Sequence, residues 1–301
     1  MTLATPPPSL VVRIEQAEET HVVRQAEAVQ TLYPSCDVLI QHQSVAGGVA
    51  IRTVPRFEGK LSRIVGLGLQ GSFTSQDLCN VEFESTYAAI GLSPEIHLCE
   101  YADPSAGQVL TRARYFSKGR LSVYCMDLED SDESVVARKG HPKGKNITVR
   151  EVASDVDRAH FVAVSIAGFA DGGRWEELLG ALARIAALRA DTRLYIATTD
   201  AGKVVGTAAL AVLGTHTAGE NIGHLYLDST VPLSRGMGAH VALIQARLRA
   251  ARGMVLKLVT LSTREGSGSA KMQKRPHLGW HIARRYMSRV ELGPQLGGFC
   301  A

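Results

Sequence analysis

"LYLDSTVPLSRGMGAHVALIQARL", residues 225–248, starts as a strand and finishes as a helix, and the turn between them decides the fold. Strand-like alternation runs up to Pro232, which has no N–H to give to a ladder and stops it. Arg235, Gly236, Met237 and Gly238 follow, and then a run of good helix formers. The two glycines remove side chains that would hold an anion away from the first-turn amides. Unpaired N–H groups and the macrodipole at a helix start attract anions, and Arg235 adds a fixed positive charge with fork geometry. A lone Gly-x-Gly also suits an ordinary strand–helix turn with a surface arginine, so the rest of the chain must decide.

The chain has 301 residues, enough for two domains of about 150 residues each. Hydrophobic content of 45% and charged content of 21% are ordinary for a soluble globular protein. The five cysteines (Cys36, Cys79, Cys99, Cys125, Cys300) are scattered, with no CxxC pair. That pattern points to a reducing compartment and buried thiols, not a disulfide framework. "MTLATPPPSL" lacks the charged and apolar regions of a secretory signal. The longest apolar run, 161–170, is about half of a membrane span. A soluble, cytoplasmic protein with no membrane partner is expected.

Charge is unevenly placed. Residues 201–301 carry 13 Lys/Arg against 4 Asp/Glu, a balance of +9, while residues 1–200 carry 20 against 25, a balance of −5. The positive field lies in the part that holds the glycine turn, and it favours a polyanionic partner. A phosphorylated cofactor fits better than nucleic acid, because no stacking-aromatic pattern accompanies the basic residues.

The organisation reads as two halves. "EDSDESVVARKGHPKGKN", 129–146, is charged, Gly/Pro-punctuated and poor in core residues, as a linker would be. Before it, 10–31 favours a helix, "GGVAIRTV" and "KLSRIVGLGL" favour strands, and Thr74 to Asp77 opens a helix by a capping-box pattern that ends near Gly91. A strand at "EIHLCEY", a helix from Asp103 to Ala113 and a strand at "RLSVYCMDL" follow. After the linker come a strand at "NITVREV", a helix from Ser154 and a helix at 174–190. A hairpin of "RLYIATTD" and "VVGTAALAVLG" leads to the opening strand and helix. "VLKLVTLST", a short helical stretch and "HIARRYMSRVEL" complete the order β-α-α-β-β-β-α-β-α-β, a mixed-sheet α+β or α/β domain.

The turn is not a Rossmann loop, since it does not follow the first strand of a βαβ unit with an acid about 20 positions on. Nor is it a P-loop, since it lacks Lys-Ser/Thr. "TVPLSRGMGAHVALIQARL" resembles the coenzyme-A-binding segment of the GNAT superfamily of acyl-CoA-dependent N-acyltransferases, which reads Val-x-Pro-x-x-Arg-Gly-x-Gly after the fourth strand. Thr230, Pro232, Arg235, Gly236 and Gly238 fill it, with threonine in place of valine and His240 at the usual final Gly/Ala. The flanking elements, with Gly279-Trp280 in place of the usual Gly-Phe, extend the resemblance over residues 147–291. The N-terminal half looks like a diverged copy without the cationic turn, its "VGLGLQG" reading as loop glycines. The resemblance implies an α/β (α+β mixed-sheet) fold class with two GNAT-like domains in tandem, each a mixed, mainly antiparallel sheet flanked by helices. A diverged domain over 1–130, a linker over 131–146 and a catalytic domain over 147–301 are expected.

The resemblance further implies acetyl-CoA, or another short acyl-CoA, as co-substrate. Leu227, Ser229, Thr230, Val231, Arg235, Gly236, Met237, Gly238, Ala239, His240 and Lys271 are expected to bind it. An amine attacks the thioester between splayed fourth and fifth strands, which calls for a base, an oxyanion donor and a proton for the leaving thiolate. Strand alternation places His224, Tyr226 and Asp228 on one face and Leu225 and Leu227 on the other. Imidazole titrates near neutrality, so His224 is the best base candidate, although a hydrogen-bonded structural histidine fits the same pattern. Asp228 either orients it, binds the amine or meets solvent.

The family's usual acid, a tyrosine, falls at Arg275 here, with Tyr286 as a substitute and Arg275, Lys271 and Lys274 as alternative phosphate contacts. An atypical transferase, proton transfer through water and a domain that binds acyl-CoA without turnover all remain open. No HExxH, His/Cys cluster or serine elbow supports metal or covalent catalysis, so no metal is expected. An N-acyltransferase acting on a small-molecule amine leads, ahead of an acyl-CoA sensor or scaffold and a peptide-modifying acetyltransferase. Neither a nucleic acid nor a membrane is expected as partner, and the oligomeric state stays open.

Overall fold

The computed structural model describes residues 7–42, 47–57, 61–80, 83–92, 94–129, 147–215, 219–264 and 281–289. In chain order these form α1 (Pro8–Leu32), β1 (Leu39–His42), β2 (Val49–Arg52), β3 (Arg63–Val65), α2 (Ser75–Asn80), α3 (Phe83–Ala88), β4 (Glu95–Cys99), α4 (Pro104–Arg112) and β5 (Phe116–Asp127). Then come β6 (Ile147–Glu151), α5 (Asp155–Phe169), α6 (Glu176–Leu188), β7 (Thr192–Thr199), β8 (Val204–Gly214), β9 (Asn221–Thr230), α7 (Ala239–Gly253), β10 (Leu258–Arg264) and β11 (His281–Arg289). No helix among the described residues is long and apolar enough to cross a membrane. Cys36, Cys99 and Cys125 are free thiols, the last two buried.

Two compact units result, one built on residues up to Val123 with Ile282–Arg289, the other on Tyr124–Ser262. In the N-terminal unit β1, β2 and β3 are antiparallel neighbours and β3 and β4 are parallel. Val49, Ile51 and Val65 pack on Val22 and Ala26 of α1. The intervening Ala50 and Ile64 pack instead on Tyr87, Ala106, Val109 and Leu110 of α3 and α4. The period of two thus covers both sheet faces. The capping box at α2 forms as expected: Thr74 Oγ1 accepts from Asp77 N at 3.1 Å, and Asp77 Oδ2 accepts from Thr74 N at 2.7 Å.

In the C-terminal unit β6 to β9 are antiparallel neighbours, and β10 runs parallel to β9. Both units therefore hold a mixed, mainly antiparallel sheet with one parallel pair. Thr207 of β8 meets Ser165 of α5 at 2.7 Å, while a Cβ on the preceding Gly206 would meet Leu243 and Ala239 of α7. Helices α5 and α6 therefore cover one face, and α7 covers the other. Ser154 caps α5, its Oγ accepting from Asp157 N at 3.1 Å, and Asp157 also pairs with Arg150.

One element departs from expectation. The strand at "HIARRYMSR" forms, but it joins the N-terminal unit, antiparallel to β4, with Tyr286 opposite Leu98. The place beside β10 is taken by β5, from the first half, and Leu128 N donates to Lys257 O at 2.7 Å. The compact units therefore do not follow a single cut into 1–130 and 147–301. An alternating pattern specifies which face of a strand is buried, not which neighbour it takes. The expected linker, 131–146, lies outside the described residues.

Candidate functional site

The parallel ladder between β9 and β10 runs from Ile222–Leu258 to Leu225–Leu261 and stops there. Just beyond it, Leu227 takes φ +55°, a left-handed conformation that costs a non-glycine residue energy. Opposite, Ala209 pairs with Tyr226 and Thr207 with Ser229, so β9 carries one more residue than β8 over the same span. This is a β-bulge, which bends its strand and redirects side chains. From Tyr226 onward β9 and β10 part company, leaving an open strand edge inside the unit.

The bulge overturns the single polar face expected from alternation. Tyr226 packs on the α5/α6 side, against the cluster of Phe161, Ala183, Ala186 and Ile196. Ser229, three residues on, faces that same side, its Oγ donating to Val164 O at 3.2 Å and Ser165 O at 3.4 Å. Asp228 points to the opposite side, toward α7. His224 stacks on Tyr226 with ring centroids 5.9 Å apart, and its Nδ1 lies 2.9 Å from Thr260 Oγ1. Asp228 is therefore not the partner that orients His224; Thr260, directly across the ladder, takes that place.

Each candidate catalytic side chain has a definite setting. His224 is buried. The Tyr226 hydroxyl lies 3.0 Å from Thr192 Oγ1, and Arg189 stands 5.8 Å from its ring centre. Burial pushes the Tyr226 phenol above its ordinary value, against the opposing Arg189 charge. Asp228 receives both prongs of Arg247, with Nη1 3.0 Å from Oδ2, and His240 Nε2 stands 3.6 Å from its Oδ1. Burial lowers the His240 pKa, with Asp228 opposing and Arg247 reinforcing the shift, so the imidazole is held toward its neutral form.

Past the strand, Val231 N donates to Val205 O at 3.0 Å, and a short 3-10 turn over Pro232–Ser234 leads to the glycines. Gly236 and Gly238 adopt φ +79° and +90°, which a side chain would disfavour. Met237 N reaches back to Ser234 O at 3.4 Å, and the first helical donor with a backbone acceptor is Ala242 N, to Gly238 O at 3.0 Å. The amides of Ala239, His240 and Val241 have no acceptor among the described residues, which leaves an anion-attracting helix start.

Arg235 is not extended toward that anion position. Its Nη2 donates to Gly168 O at 3.0 Å and Asp171 Oδ1 at 2.9 Å, Nε to Thr230 O at 3.3 Å, and Nη1 also pairs with Asp171. It ties the glycine turn to the end of α5, where a cation also suits the helix dipole. Lys271, Lys274 and Arg275 lie outside the described residues, and Tyr286 belongs by its backbone to the N-terminal unit.

Three residues around this site escaped the sequence reading. Arg247 is fully buried, yet in sequence it is one of several helix arginines. Asp171, the partner of Arg235, lies 64 residues away in the 3-10 turn that follows α5. Ser262 Oγ, one residue past the last β9–β10 pair, is buried with no hydrogen-bond partner among the described residues; nothing in sequence marks it.

The N-terminal unit offers a contrast at the loop after β3. A Cβ on Gly66 would fall 2.0 Å from Glu19 Oε1. A carboxylate of α1 thus lies against the glycine loop, which disfavours a second anion there.

No protein-family model matches the sequence, and no curated protein sequence matches it. Solved structures do match. A GCN5-related N-acetyltransferase from Kribbella flavida aligns with a TM-score of 0.58 at 18% identity, over 91% of this chain and 96% of its own. A tandem GNAT protein from the clavulanic acid biosynthesis pathway aligns with a TM-score of 0.59 at 13% identity, over 92% and 96%. A GCN5-related N-acetyltransferase from Sphaerobacter thermophilus gives 0.54 at 16%, over 97% and 96%. Identities this low speak for architecture alone. With the parted parallel strands β9 and β10, the bulge of β9 against β8 and the glycine turn that follows, the chain has the fold of the tandem GNAT structures.

Proposed function

We propose that the protein is an acyl-CoA-dependent N-acyltransferase that moves an acetyl or other short acyl group to a small-molecule amine, with its chemistry in the C-terminal unit. One observation carries the reading: the β9 edge opened beyond Leu225 leads, through the glycine turn, into a helix start with three amides that have no acceptor among the described residues. In this reading the amides of Ala239, His240 and Val241 hold the pyrophosphate, and the acyl group lies along the opened edge of β9. His224, backed by Thr260, is the base, and Ser262 offers a hydrogen bond inside the opening. The amine nitrogen attacks the acyl carbon, the carbon–sulfur bond breaks, and the coenzyme leaves as a thiol. No metal takes part, and a cytoplasmic setting fits the dispersed cysteines. Mass spectrometry of full-length protein with acetyl-CoA and an amine library tests this: amine-dependent thiol release with a matching acylated amine is expected.

An acyl-CoA sensor or scaffold is the second reading. Every candidate proton carrier on β9 already has a close partner: His224 has Thr260, Tyr226 has Thr192, and Asp228 has Arg247. A sensor binds acetyl-CoA and releases no thiol with any amine.

A further inference from the structure

Arg247 is the largest fully buried side chain among the described residues. It lies midway along α7, where an arginine ordinarily reaches solvent. Its Nε donates to Leu243 O of its own helix at 3.1 Å, and Nη1 donates to Ala209 O at 3.0 Å. Nη1 and Nη2 together grip both oxygens of Asp228. One guanidinium thus joins α7, the β8 residue opposite Tyr226, and the β9 residue that follows the strained Leu227. A buried ion pair is weak evidence of stabilisation, because apolar residues of similar volume often serve as well. What the fork supplies here is geometry: it fixes the side of the strand on which the bulge leaves Asp228.

We propose that Arg247 is a positioning residue that pins the Leu227 bulge and so sets the opening between β9 and β10 in which the acyl group is held. This rests on the acyl-CoA reading above. Arg247 makes no contact with the unpaired amides at the helix start, so its influence falls on the acyl end of the ligand and not on the pyrophosphate. Truncating Arg247 alone leaves the Asp228 carboxylate without its main partner close to that helix start, which confounds the measurement. The clean variant removes both charges.

The test compares coenzyme A with acetyl-CoA by calorimetry, using full-length wild type and the double variant Arg247→Met with Asp228→Asn. Wild type is expected to prefer acetyl-CoA. In the double variant coenzyme A affinity stays within about threefold while the preference for acetyl-CoA falls by about tenfold or disappears. If the double variant does not fold, Arg247→Lys keeps the charge without the fork and is expected to lose part of the preference. A preference kept in the variant overturns the pin, as does an equal loss for both ligands, which marks a merely structural role. Wild type that binds both ligands equally also overturns it. Wild type that binds neither removes the acyl-CoA reading itself.

Discussion

Arg235 and Asp171, 64 residues apart in sequence, meet in a two-pronged ion pair, with Nη2 2.9 Å from Oδ1. The pair joins the glycine turn to the 3-10 turn after α5, and hydrogen bonding from Arg235, helped by its charge, holds the Asp171 carboxyl below its ordinary range. Gly168 O and Thr230 O remain as neutral acceptors when Asp171 loses its charge. Asp171→Asn should therefore keep the turn and strengthen acetyl-CoA binding, because one competing negative charge is gone. Arg235→Glu should weaken it by about 1.5–3 kcal/mol, the scale of a charge-assisted hydrogen bond. Calorimetry that finds Arg235→Glu unchanged would show that this turn is not the phosphate site.

Close packing of α5 on β9 gives a stability prediction. A Cβ on Gly168 would stand 1.9 Å from Ser229 Oγ and 2.9 Å from Thr230 N. Gly168→Ala must displace the strand next to the bulge, and overpacking of this kind costs about 1–3 kcal/mol. Urea unfolding of the variant checks it; an undisturbed midpoint contradicts this packing.

Buried His97 and half-buried His240 set a pH dependence. Burial lowers the pKa of His97, against its hydrogen bond to Glu95, and of His240, against Asp228 and with Arg247. A histidine whose folded pKa is depressed binds protons more readily when unfolded, so its penalty is absent at high pH and grows as pH falls through the unfolded value, about 6.5. Stability should thus fall between about pH 7.5 and 5.5, and His240→Asn should flatten part of that fall. An identical slope in wild type and variant removes His240 as a contributor.

The strand–turn–helix of 225–248, the capping box at Thr74, the helix start at Ser154 and the α5–α6 pair were legible in the sequence because each is a local signal: alternation, a cap, a glycine. The bulge was not, since Leu227 carries no glycine or proline to announce its positive φ. That one hidden residue moved Asp228 to the other face and separated it from His224. Arg247 was equally silent, because burial of a helix arginine depends on a partner 19 residues away. The pairing of β11 with β4, and the place of β5 beside β10, depend on choices that no local pattern encodes.

The base assignment predicts a kinetic split. His224→Ala should leave acetyl-CoA affinity intact and lower turnover by about 10²–10⁴-fold. Thr260→Val, which removes the oxygen beside Nδ1, should lower turnover less. Full turnover in His224→Ala with a confirmed acceptor would move the role to Tyr226 or an ordered water.

Most direct of all is the number of acetyl-CoA molecules bound per chain. Among the described residues, only the C-terminal unit has a bulged strand leading into amides without an acceptor, while Glu19 lies against the corresponding loop of the N-terminal unit. Calorimetric titration of the full chain should give about one molecule bound, with the heat lost or strongly weakened in Arg235→Glu. Two molecules per chain, or one bound with equal affinity in that variant, would contradict a single acyl-CoA site at the turn after β9.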